Sequence, residues 1–187
     1  MNSYRPHRST SKSTEARDQQ RAEAVQADPE AAARAIVLRR LTLSPRTRSE
    51  LAASLDERLI PIDIREKVLD RFTEVGLIDD ASLATSFTDN RRERQGWSRR
   101  AIERKLRERG IDRDLVATVL QEVSGEDELA TATALVRGRW KRVGALDPVT
   151  RQRRLVSMLA RRGYSYSVSA DAIKVVDDEF TIDLDSK

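Results

Sequence analysis

A pattern of apolar residues recurs three times along this chain at a spacing of about fifty residues. Displacing the sequence by 51 places Leu51, Leu55, Ile60, Ile64, Val68 and Leu69 on Ile102, Leu106, Ile111, Leu115, Val119 and Leu120. A further displacement by 53 places the same set on Leu155, Leu159, Tyr164, Val168, Ala172 and Ile173. A period of this length restricts the fold to one small supersecondary unit stacked on copies of itself. The function of such a body is expected on an extended surface and not in an enclosed pocket.

Each unit reads as three helices. Asp28-Pro29-Glu30 supplies an N-cap, a proline at the first helical position and a carboxylate in the first turn, and Ser44-Pro45 stops that helix. Thr47 and Glu50 form a capping box for a second helix carrying Leu51 and Leu55, and a third runs from about Asp63 to Val75 before Gly76. In the next unit Asp79 caps a helix carrying Leu83 and Phe87 that Gly96 breaks. Ser98 caps a helix that ends at Gly110, and Asp112 starts another that ends near Ser124-Gly125. The third unit has a long apolar stripe through Leu129, Val136, Trp140 and Val143. Asp147-Pro148 then starts a helix that ends at Gly163, and a short last helix carries Val168, Ala172 and Ile173. Period-two alternation is confined to a weak signal over Phe180 to Leu184. The expected fold is all-α, with three tandem three-helix repeats, helix-turn-helix-like, over 28–78, 79–124 and 125–176 in an elongated arrangement. Polar residues 1–27 and acidic residues 177–187 are expected to be disordered tails. Gly76, Gly110 and Gly163 each follow a helix, where a left-handed residue turns the chain; their role is read as architectural.

Chemistry-bearing motifs are few. With no cysteine and one histidine, His7 in the N-terminal stretch, the chain offers no thiol nucleophile, no zinc cluster and no Ser-His-Asp set. The adjacent Asp79 and Asp80 are read as a helix cap plus a favourable dipole contact, not a metal site. No enzyme activity, cofactor or metal is expected. Aromatic residues make up 4% of the chain, so its cores are thin and aliphatic, with Trp97 and Trp140 read as packing anchors. No apolar run is long enough to span a bilayer, and the reading is of a cytoplasmic, monomeric protein without a membrane partner.

Charge separates the units. The first, over 29–79, holds nine basic and nine acidic residues. Residues 91–109 hold nine basic against three acidic, and residues 137–162 nine basic against Asp147 alone. Candidate anion- or partner-binding residues are Arg91, Arg92, Arg94, Arg99, Arg100, Arg104, Lys105 and Arg107 in the second unit. In the third they are Arg139, Lys141, Arg142, Arg153, Arg154, Arg161 and Arg162. At about 100° per residue, Arg100, Arg104 and Arg107 gather opposite the inward Ile102 and Leu106, and Arg100 and Arg153 are equivalent positions.

Several segments together resemble the RecX family of regulators of the recombinase RecA. They are Gly76-Leu77-Ile78-Asp79-Asp80 with Ala84 and Phe87, Arg91 with Gly96, Ile102, Leu106 and Gly110-Ile111, and Arg161-Arg162-Gly163-Tyr164. Gln95 stands where the family often has lysine, and Tyr164 where phenylalanine is usual. The resemblance implies a protein that binds the RecA filament on single-stranded DNA and typically inhibits ATP hydrolysis, strand exchange and co-protease action. It leaves room for weak direct contact between DNA and the basic face. It supplies no fixed set of site residues; the arginine assignment rests on charge and helix geometry. A helix-turn-helix transcription regulator is the competing reading, since three short helices with a glycine turn also describe that class.

Overall fold

The computed structural model describes residues 19, 23, 25–121 and 125–185, excepting the side chains of 125–127 and 181–185. Among the described residues there is no strand. The chain divides into two compact units at Asp80 and Ala81.

In the first unit, local sequence sets the helix starts. Asp28 accepts the Ala31 amide at 2.9 Å and Pro29 opens α1, Pro29–Leu43. The Thr47–Glu50 capping box, with amide bonds of 3.0 and 3.2 Å, opens α2, Arg48–Asp56. α3, Ile62–Glu74, starts after Pro61 without a side-chain cap. Leu51, Leu55, Ile60, Val68 and Leu69 close over Val37, Phe72 and Ile78 as one core. Acidic positions of α3 are met by α2: Arg48 reaches Glu66 at 2.6 Å and Asp70 at 2.8 Å, while its amide donates to Asp80 at 2.9 Å. The expected N-terminal tail lies mostly outside the described residues; of it, 25–27 are helical and Val25 packs on this core.

The second unit holds six α-helices among the described residues: α4, Asp80–Asp89, whose first residue closes the first unit; α5, Arg99–Glu108; α6, Arg113–Leu120; α7, Gly125–Val143; α8, Pro148–Ala160; and α9, Tyr166–Asp185. Ser98, Asp112 and Asp147 cap α5, α6 and α8 as their positions predict. Backbone donors from Leu115 and Asp114 hold the Asp112 carboxyl below its usual range. One core gathers Ala84, Ile102, Leu106, Ile111, Val116 and Leu120; another gathers Val136, Trp140, Leu155, Leu159, Tyr164, Ala172, Ile173 and Val176.

Three expectations need correction. The helix from Asp79 to Gly96 is not uniform, because Asn90–Arg94 wind as a π-helix that lets the Arg91 carbonyl accept the Trp97 amide at 3.0 Å. The helix from Asp112, expected to end near Ser124-Gly125, ends as α6 at Leu120, and Gly125 lies in the first turn of α7; residues 122–124 lie outside the described ones. The last helix is long, continuing past 176 through the weak strand signal to Asp185, because Val176 is buried and Phe180 packs on the same core.

The apolar repeat corresponds to a hydrogen-bond repeat. The amides of Ile60, Ile111 and Tyr164 return to the carbonyls of Leu55, Leu106 and Leu159, each at 3.2 Å. The amides of Leu59, Gly110 and Gly163 return to Asp56, Arg107 and Ala160, each at 2.9 Å. This is the Schellman closure, whose C′ residue is left-handed. Gly110 and Gly163 have φ of 76° and 89°, but the first unit uses Leu59 at φ 57°. A leucine there carries a steric cost that glycine lacks, and its side chain is 86% exposed, so little burial compensates. Leu59→Gly is expected to raise unfolding free energy by about 0.5–1 kcal/mol, the relief of left-handed strain less glycine's entropy. Urea denaturation measures it, and a loss of stability would refute the assignment.

Gly163 has the opposite constraint. A Cβ there would lie 2.5 Å from the Ala101 Cβ and 2.6 Å from the Ser98 Oγ. Gly163→Ala is expected to cost at least about 2 kcal/mol, left-handed strain plus overlap, and thermal denaturation should show the loss.

Candidate functional site

The arginines of the third repeat converge because α7 and α8 pack against each other. A groove of about 640 Å³ is lined by Arg139 and Val143 of α7, by Arg153, Arg154, Ser157 and Met158 of α8, and by Arg161 and Arg162 beyond it. No carboxylate lines it. Its guanidinium groups are positioned by neutral acceptors where they are bonded at all. Arg161 donates to the Ser157 hydroxyl at 2.8 Å, and Arg162 donates to the carbonyls of Gln95 at 3.1 Å and Met158 at 3.4 Å. Arg139, Arg153 and Arg154 have no ion pair among the described residues. Five guanidinium groups around Val143 and Met158 supply forked donors whose chemistry suits carboxylate or phosphate oxygens.

A second groove, of about 600 Å³, shares Arg161 and Arg162 with the first and adds Arg92, Glu93 and Arg94 of the π-helical segment, with Gly96, Trp97 and Leu135. Two repeats therefore contribute to one basic strip. Its geometry depends on the joint between them, where the Ser98 amide donates to the Arg162 carbonyl at 2.9 Å.

The remaining sequence candidates lie elsewhere. Arg91 is engaged internally: its guanidinium lies 4.6 Å from the Trp97 ring centroid and 5.0 Å from that of Phe87, and it donates to Gln95. Arg104, Lys105 and Arg107 are exposed on α5 but paired along the helix, with Glu108 at 3.7 and 3.0 Å and Glu103 at 2.7 Å. Arg100 on the same face has no ion pair among the described residues. The Arg99 amide donates to Glu128 at 2.7 Å. Lys141 and Arg142 sit exposed in the last turn of α7, where positive charge suits the helix dipole. Sequence reading missed Ser157 and Met158 as groove residues. Arg137 and Arg151, counted in the basic segment but not among the candidates, lie about 200° from Arg139 and Arg153 on their helices. Among the described residues no cluster could hold a metal ion, and no helix is long and apolar enough to cross a membrane.

Residues 79–120 match the model of the RecX second three-helix domain, and residues 126–173 that of the third. The Regulatory protein RecX of Thermobifida fusca is 48% identical over 135 residues, 72% of this chain and 73% of that protein. Its counterpart in Mycobacterium marinum is 44% identical over 142 residues, 75% and 82% of the two chains. The chain belongs to the RecX family. The crystal structure of RecX from Lactobacillus salivarius superposes with a TM-score of 0.68 at 20% identity, covering 81% of this chain and 98% of that one, and so supports the fold.

Tyr164 is buried beside the joint, and its hydroxyl has no hydrogen-bond partner among the described residues. Burial pushes that hydroxyl up to about 12, with Glu128 adding to the effect. An unfolded tyrosine ionises near 10, so the folded chain is expected to keep its stability below pH 10 and lose it as pH rises from there through about 12. Tyr164→Phe removes an unsatisfied buried hydroxyl and is expected to stabilise by up to about 1 kcal/mol at neutral pH. It should also flatten the alkaline decline, and denaturation midpoints against pH read both effects.

Proposed function

We propose that this chain is a regulator that binds RecA, chiefly its nucleoprotein filament on single-stranded DNA, and inhibits ATP hydrolysis, strand exchange and co-protease action. It acts by occupancy and not by catalysis, as a cytoplasmic monomer. The observation that carries the reading is the arginine groove, five guanidinium groups without a lining carboxylate, in a chain whose relatives are named regulatory proteins RecX. A filament presents anionic groups repeatedly along its length, as protein carboxylates and as phosphates, and a concave strip spanning two repeats offers complementary donors in register. Docking on the groove is placed ahead of docking on α5, since Arg104 and Arg107 are already paired within their helix.

The test is to add the purified chain to RecA assembled on single-stranded DNA and follow ATP hydrolysis and filament mass. Stoichiometric amounts are expected to lower both. No effect would refute the proposal, and tight sequence-selective binding to duplex DNA would favour a transcription regulator instead. Reversing Arg153 and Arg154 to glutamate is expected to abolish inhibition with helix content unchanged. Reversing Arg100, Arg104 and Arg107 should weaken it less, and the opposite order would move the docking face to α5.

A further inference from the structure

The basic residues of 137–162 fall into two sets by helix face. Arg139 and Arg153 line the groove, whereas Arg137 and Arg151 lie two positions before them, rotated by about 200°, and meet the last helix. Arg137 grips Glu179 with two prongs, Nη2 to Oε1 at 2.6 Å and Nε to Oε2 at 3.0 Å. Arg151 meets Asp177 at 3.0 Å and donates to the carbonyls of Gly144 at 3.1 Å and Leu146 at 3.4 Å. Its guanidinium lies 5.0 Å from the Trp140 ring centroid, and the Phe180 ring stacks on Trp140 at 5.2 Å with planes 18° apart. Three residues near the end of α9 thus fasten α7 and α8 together from the side turned away from the groove.

We propose that Asp177, Glu179 and Phe180 are positioning residues for the arginine groove, acting through Arg151, Arg137 and Trp140 to fix the distance between its α7 and α8 walls. The proposal rests on the reading of that groove as the docking surface. Arg139 stands on one wall and Arg153 and Arg154 on the other, so a change of separation misplaces one set of donors against a rigid anionic partner. Acidic side chains near a cationic site ordinarily weaken anion binding, through the field they add or by competing for the cations. These two carboxylates pair with Arg137 and Arg151, which do not line the groove. Their removal adds positive charge to the chain yet loosens a wall, so the clasp predicts weaker binding where simple electrostatics predicts stronger.

The experiment measures the affinity of the full chain for RecA filaments on labelled single-stranded DNA, comparing wild type, Arg139→Ala, Glu179→Gln and the double variant. Arg139→Ala is expected to weaken binding about tenfold, the worth of one charge-assisted hydrogen bond. Glu179→Gln should weaken it several-fold, and in the Arg139→Ala background it should add nothing further, since it acts by placing Arg139. Stronger or unchanged binding by Glu179→Gln overturns the proposal, as does an effect that adds fully to that of Arg139→Ala. Equal binding by wild type and Arg139→Ala overturns the groove reading itself, and the clasp with it. If Glu179→Gln lowers helix content, the swapped pair Arg137→Glu with Glu179→Arg should restore both fold and affinity. Restored fold with affinity still low would also refute the proposal.

Discussion

Every three-helix repeat turns on one backbone contact, the amide that follows a left-handed residue returning to the carbonyl of a fully buried leucine. Helix ends leave carbonyls without partners, and burying such an end without closure would be costly. Here Leu55, Leu106 and Leu159 supply both halves of the solution: their side chains fill the core while their carbonyls accept the closing bond. Core and turn are therefore set by one residue, and neither can shift register without the other. This explains why the apolar pattern survives at a fixed spacing although the surfaces differ. It also explains how the first repeat tolerates Leu59 in a conformation the others give to glycine.

In the third repeat the same turn does a second task. Gly163 lies where any side chain would strike Ser98 and Ala101, so its bareness permits α5 of the second repeat to approach. Ser98 serves both elements there, its hydroxyl capping α5 through the Ala101 amide at 3.2 Å and its own amide donating to the Arg162 carbonyl at 2.9 Å. The joint is thus built from a helix cap and a helix stop, groups that need partners in any case. Its by-product is the placement of Arg161 and Arg162 beside Arg92 and Arg94.

What was legible in the sequence follows from how local each determinant is. The caps at Asp28, Thr47, Ser98, Asp112 and Asp147 act over three residues or fewer, and each stands where its motif predicts. The groove was legible in part, because charge counts marked segments that line it and the apolar stripes of α7 and α8 imply that those segments pack. Which arginines face one another was not, since it depends on contacts such as Arg137 with Glu179, 42 positions apart. The continuation of α9 was hidden for the same reason: Asp177, Asp178 and Glu179 read as a solvated run until Arg137, Arg151 and Trp140 are placed beside them. Arg91 lies beside two aromatic rings, a contact that no neighbour in sequence signals. The π-helical turn had no signal, as a single widened turn does not alter the apolar period around it.

Charge placement in the third repeat carries a physical implication of its own. Like charges gathered in one groove repel, and a chain with Asp177 and Glu179 nearby had counter-charges available to relieve that repulsion. They are used instead on Arg137 and Arg151, on the far faces of the same helices. Two of the groove arginines, Arg161 and Arg162, are held by neutral partners, Ser157 and the carbonyls of Gln95 and Met158, which fix direction without cancelling charge. A site so arranged retains its full electrostatic attraction and has already ordered part of its donor set before an anion arrives. If the groove is the docking surface, as proposed, a bound polyanion relieves the repulsion and stabilises the fold that receives it.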